Sequence, residues 1–128
     1  MQVKMQDILG YLTFYEAAKD QKIPLKTAYK LAQLSKAIEG EVGFYQEKLR
    51  AIIKEYGQLD EEGNPILTEE GTGVKLRAGV EEECYNAMNE LQEIEVTLPD
   101  VKITADELEN MQLTIIEMNY IIPFLKEE

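Results

Sequence analysis

The chain has 128 residues, a formal net charge of −12 and no histidine. A chain of this size forms one domain with a core that needs neither disulfide nor metal, and its apolar content is ordinary for a globular protein. No apolar run approaches the roughly 18–20 residues needed to cross a bilayer, and the strong negative charge repels nucleic acid phosphates and anionic lipid.

Lacking histidine, the chain lacks the commonest general base, the commonest transition-metal ligand and every Ser-His or Cys-His pairing. The one cysteine, Cys84, can form neither an intrachain disulfide nor a thiolate zinc site within one chain. It falls at an apolar helix position and reads as a buried structural thiol. No phosphate loop or dinucleotide fingerprint occurs. Asp60-Glu61-Glu62-Gly63-Asn64-Pro65 is dense in acid but lacks the alternating ligand spacing of a calcium loop. The expectation is a protein that is not an enzyme, with no cofactor and no metal. The N-terminus has acids inside its apolar stretch and does not read as a signal peptide, so a cytoplasmic protein is expected.

Met5 to Lys19 reads as a first helix, with Met5, Ile8, Leu9, Leu12 and Tyr15 at helical spacing and Tyr11 and Phe14 widening the face. Gly10 weakens it. After a short connection, Pro24 suits the first turn of a long second helix that runs to Tyr56. Apolar residues recur along that helix in two seven-residue series, Ala28, Ser35, Val42, Leu49, Tyr56 and Leu31, Ile38, Tyr45, Ile52. Together they form a narrow seam that wants another helix against it. The helix should be about 50 Å long at 1.5 Å per residue, and its partners in the chain are about half that. Part of the seam, Val42, Tyr45, Leu49, Ile52 and Tyr56, is therefore expected to be left for another chain. Gly40 and Gly43 suggest a bend or a close backbone approach, and Gly57 is placed to cap the C-terminus. Lys22, Lys26 and Lys30 fall opposite the seam, on the face expected to stay wet, with a partner patch as the sharper alternative. The tyrosines of the seam, Tyr45 and Tyr56, and those near it, Tyr11, Tyr15 and Tyr29, read first as core material, with interface anchors as the alternative.

Residues 57–80 have turn and strand chemistry. Pro65 to Thr68 and Val74 to Arg77 are short strands of a β-hairpin with Glu69 to Gly73 as its loop. No internal repeat and no low-complexity stretch stands out. A third helix follows, from about Val80 to Leu91, with Cys84, Ala87, Met88 and Leu91 on one face. Glu95 to Ile103 is extended. Thr104 with Glu107 and Thr114 with Glu117 are capping boxes that open two short helices. Pro123 breaks the last ladder, so the terminal residues are expected to bend away.

The fold class expected is α+β, mostly α: a long helical hairpin with a small β-hairpin and short C-terminal helices. The whole of 1–128 reads as a single domain with two electrically distinct halves. Met1–Gln58 holds nine Lys/Arg against seven Asp/Glu, whereas Leu59–Glu128 holds four against eighteen. An acidic surface of that kind meets a basic protein or confers solubility. Its interaction candidates are Glu61, Glu62, Glu69 and Glu70 on the turns.

Several stretches carry a resemblance: Lys22 through Ala32, Tyr45 through Arg50 with Ile52-Ile53 and Glu55-Tyr56-Gly57 after it, Asp60 through Ile66, Glu95 through Val101, and Leu108 through Thr114 followed by Glu117-Met118. With these the chain resembles a group of small uncharacterised proteins encoded by phages and prophages of Gram-positive bacteria. The resemblance implies a context and no catalytic residue: a protein made in the bacterial host cytoplasm, or associated with the virion. Two functions are expected from it. One is an assembly or structural accessory acting through protein–protein contact, with itself as a homo-oligomer or with a phage structural protein. The other is an anti-defence inhibitor that binds a bacterial host protein through the acidic surface. Neither involves direct contact with nucleic acid or membrane.

Overall fold

The computed structural model describes residues 1–71 and 73–126. It is an α+β fold, mostly helical. The chain forms two compact units: Met1–Val42 joined by the chain from Ile94 onward, and Gly43–Glu93. The boundary falls inside the long helix, not at Gly57 where the charge changes. No helix among the described residues is long and apolar enough to cross a membrane.

The first unit holds the core. A two-stranded antiparallel sheet joins β1 (Gln2–Lys4) to β2 (Glu95–Thr97), with Val3 opposite Val96. Alternation places those two valines inward and their neighbours in water. Helix α1 (Met5–Ala18) starts where the Asp7 carboxylate accepts from the Lys4 amide at 2.9 Å. Its buried stripe is Met5, Ile8, Tyr11, Phe14 and Ala18, at three- and four-residue spacing. Tyr11 and Phe14 are thus central, while Tyr15, expected on the core face, is 40% exposed. The short C-terminal elements close over α1. A turn of 3-10 helix at Asp106–Leu108 and helix α4 (Ile115–Ile121) follow the two capping boxes. At the second, Thr114 Oγ1 accepts from the Glu117 amide at 3.1 Å, and the Glu117 carboxylate accepts from the Thr114 amide at 2.9 Å.

Pro123 does end the α-helical ladder, but the chain turns inward rather than away. A 3-10 turn at Ile122–Phe124 buries Phe124 completely, with its ring 5.4 Å from that of Tyr11. An aromatic of this size gains more from burial than the broken ladder loses.

Helix α2 runs unbroken from Leu25 to Tyr56. Pro24 sits just before it and accepts from the Ala28 amide. In the first unit its buried stripe is Thr27, Leu31, Leu34 and Ile38. This is wider than the two-position seam, because it packs in a globular core rather than against one helix. The Tyr11 hydroxyl lies 3.1 Å from the Leu31 carbonyl and 2.5 Å from Ser35 Oγ, which ties α1 to α2. All nine of the largest fully buried side chains belong to this unit.

The second unit contains the rest of α2, a β-rich stretch and helix α3 (Glu81–Gln92). The expected hairpin is present, with Leu67 bridged to Val74, but it is one third of a closed ring. Backbone bonds run from the Gln58 amide to the Lys75 carbonyl, from Lys75 to Ile66, and from Ile66 back to Gln58, at 2.8–2.9 Å. Around them, Leu59 bridges Pro65, Leu67 bridges Val74, and Leu76 bridges Gly57. The amides of Asp60, Thr68 and Arg77 donate to the carbonyls of Asn64, Gly73 and Tyr56 in the same cyclic order. Each segment pairs with the next and the third with the first, so the ring leaves no end strand unpaired.

This geometry exposes a repeat. Gln58-Leu59-Asp60, Ile66-Leu67-Thr68 and Lys75-Leu76-Arg77 occupy equivalent places, and each is followed by a glycine, three residues on in the first two and two residues on in the third. Gly63, Gly71 and Gly79 have φ of +84°, +73° and +84°, the left-handed conformation that glycine adopts without strain. Only Leu and Gly recur in all three, which is why the repeat is inconspicuous in the sequence.

The glycines of α2 behave differently from expectation. Nothing lies within 4 Å of a Cβ built at Gly40 or Gly43, so neither marks a close approach. Gly57 does follow the helix end, but its role is space: a Cβ there would meet the Ile53 carbonyl oxygen at 2.5 Å and Val74 Cγ1 at 3.2 Å.

Candidate protein-interaction surfaces

The seam residues separate into two groups. Leu31 and Ile38 are buried in the first unit. Val42, at the end of that unit, is half-buried. In the second unit Tyr45, Leu49, Ile52 and Tyr56 are all half-buried, and so are Ile53, Ile66, Val74, Cys84, Ala87 and Met88. Among the described residues of that unit only Gly57 and Leu91 are buried. The unit is an apolar layer with little interior. Cys84 is free and half-buried, not the fully buried thiol expected.

Helix α3 approaches the end of α2. The Tyr56 phenol is pushed up, first by desolvation and then by the neighbouring carboxylates of Glu55, Glu83 and Glu90. Phe44 is 39% exposed, with the Lys48 ammonium 5.6 Å from the centre of its ring.

The acidic candidates sit on the turns of the ring. Glu61 and Glu62 occupy the first turn, Glu69 and Glu70 the equivalent place in the second, and all four are exposed. None forms an ion pair among the described residues. Asp60 supports the first turn, its Oδ1 accepting from the amides of Glu62 and Asn64 at 2.9 Å. The unit carries twelve acids against five bases. No cluster of three or more acidic, cysteine or histidine side chains placed to hold a metal occurs among the described residues.

The lysines do not all lie on a wet face. Lys30 Nζ meets both carboxylate oxygens of Glu107 at 2.9 Å, in a pair about one-fifth exposed on each side. The Glu107 carboxyl is held below its usual range, chiefly by that bond. Lys22, Lys26 and Lys36 are exposed and make no ion pair among the described residues.

A groove of about 330 Å³ opens between the end of α1 and the start of α2. Phe14, Tyr15, Ala18, Ile23, Ala28 and Leu31 supply its apolar floor. Beside it Leu25 is 86% exposed and Tyr29 is 64% exposed. Helical spacing places Leu25, Tyr29, Ala32 and Lys36 along one stripe. Tyr29 is thus on the surface and not in the expected core, with Leu25 beside it. The signal available was their position, four apart and off the two heptad series. Comparison with protein-family models, with curated proteins and with solved structures finds no match to this chain.

Proposed function

We propose that the chain is a non-enzymatic protein that works through protein–protein contact, as an assembly or structural accessory of a phage. The observation that carries this reading is the half-buried seam of the second unit. A layer whose apolar residues stay partly exposed gains stability when another surface covers it, at about 25 cal/mol per Å² of apolar area. Tyr45, Leu49, Ile52 and Tyr56 supply that face, with Val42 at its start. The resemblance to small phage and prophage proteins supports the context and a place in the bacterial host cytoplasm. Light scattering of the wild type and of Tyr45→Glu tests the reading, since a charge at the centre of the seam removes a contact made there.

A second reading is an anti-defence inhibitor that presents the acidic turns to a basic host protein. The equivalent placement of Glu61-Glu62 and Glu69-Glu70 on two repeats supports it, because it sets two unpaired acidic pairs on one small closed ring. Affinity for such a partner would fall steeply with salt and with neutralisation of these four residues.

A further inference from the structure

We propose that the groove between α1 and α2 is the docking site for helix α3 of a second copy of this chain, with Tyr85 as the anchor. The proposal rests on the reading that the protein acts by protein contact and names the partner surface.

The groove suits a side chain better than a small molecule. At about 330 Å³ it is at the lower limit of ligand pockets. The polar groups around it are already engaged. Ser35 Oγ donates to the Leu31 carbonyl at 2.8 Å and shares a bond with Tyr11. The Gln21 amide donates to the Ala17 and Gln112 carbonyls and accepts from the Gln112 amide. Lys19 pairs with Glu16 at 2.8 Å. What is left is an apolar floor with an exposed apolar stripe beside it, Leu25, Tyr29 and Ala32.

Charge selects the occupant. From Lys19 to Lys36 the chain carries five lysines and one acid, Asp20, within a protein whose net charge is −12. Lys22, Lys26 and Lys36 are exposed there. A matching surface must be acidic and must carry an apolar anchor. Helix α3 has both: Glu81, Glu82 and Glu83 open it, and Tyr85 is 66% exposed. Tyrosine in such a place is a favoured interface anchor, and opposite charges at the rim steer the encounter. The two surfaces are different, so each copy both gives and receives, and the contact is heterologous.

Charge reversal tests this in the full-length chain. Its mass is measured by light scattering as salt is raised, for the wild type, for Tyr85→Ala, for a groove variant (Lys22→Glu with Lys36→Glu) and for a helix variant (Glu81→Lys with Glu82→Lys). All sites are exposed, and circular dichroism confirms folding. The proposal expects the wild type to exceed monomer mass at low salt and to dissociate as salt rises. It expects Tyr85→Ala and each reversed variant alone to have a lower mass than the wild type, and an equimolar mixture of the two reversed variants to recover the wild-type mass. A monomeric wild type at low salt, reversed variants of unchanged mass, or a mixture that stays at the reduced mass overturns it. If Tyr45→Glu lowers the mass while the reversals do not, the seam reading stands and this one falls.

Discussion

The ring of Tyr120 lies against Gly10, where a Cβ would stand 2.7 Å from Tyr120 Cδ1. This contact lets α4 approach α1 more closely than any other residue at position 10 would allow. Gly10→Ala should therefore destabilise the first unit by about 1–3 kcal/mol, because overpacking outweighs the helix-propensity gain of about 1 kcal/mol. In a Tyr120→Ala background the same substitution should become neutral or stabilising. Urea denaturation of the four chains gives the cycle.

Gly40→Ala and Gly43→Ala provide the contrast. Both positions are exposed, helical and open on the Cβ side. Each substitution should stabilise by about 0.5–1 kcal/mol, read as a rise in melting temperature.

Two groups make stability depend on pH in opposite directions. The Glu107 carboxyl is held below its ordinary 4.5 by the bond to Lys30. Its contribution is present above that ordinary value and is lost as pH falls through the lowered one. Glu107→Gln should lower stability at neutral pH by about 1 kcal/mol and flatten the acid limb of a denaturation series.

Tyr11 behaves the other way. Burial pushes its phenol up to about 12, against a smaller opposing effect of the Ser35 bond. Its contribution is complete below the ordinary 10.0 and disappears as pH rises through about 12. Ultraviolet titration of phenolate should show one tyrosine ionising late, together with unfolding. Tyr11→Phe should remove that late step and cost about 1 kcal/mol at neutral pH.

The closed ring predicts shared behaviour. Gly63→Ala and Gly71→Ala each force a left-handed conformation on a residue with a Cβ, at about 1–2 kcal/mol. Amide hydrogen exchange should then quicken at Gln58, Ile66 and Lys75 together, whichever glycine is changed. Acceleration confined to the altered segment would mean three independent turns.

The start of α4 was legible in the sequence because its chemistry is local: the Thr114–Glu117 box needs only neighbours. The long helix and the buried alternation of Val96, Leu98, Val101 and Ile103 were legible from periodicity. What was missed depends on distant partners. Periodicity favoured Tyr15 over Phe14, and only the arrival of Phe124 from the far end of the chain decides which ring is inside. Lys30 looked like a wet residue until Glu107, far along the sequence, was placed beside it. The ring of residues 56–77 was hidden because closure joins the third segment to the first, a pairing no local pattern encodes. Of the candidate surfaces, the seam was visible as a heptad, whereas the groove beside Leu25 and Tyr29 exists only once α1 lies against α2.

The central claim is that the protein works through surfaces left uncovered by its own fold, with the seam around Tyr45 and Leu49 foremost. The most direct measurement is the light-scattering mass of the wild type at micromolar concentration, beside that of Tyr45→Glu with matched circular dichroism. The account predicts a wild type heavier than a monomer and a folded Tyr45→Glu of lower mass. A wild type that is monomeric throughout, or a folded Tyr45→Glu of unchanged mass, would contradict it.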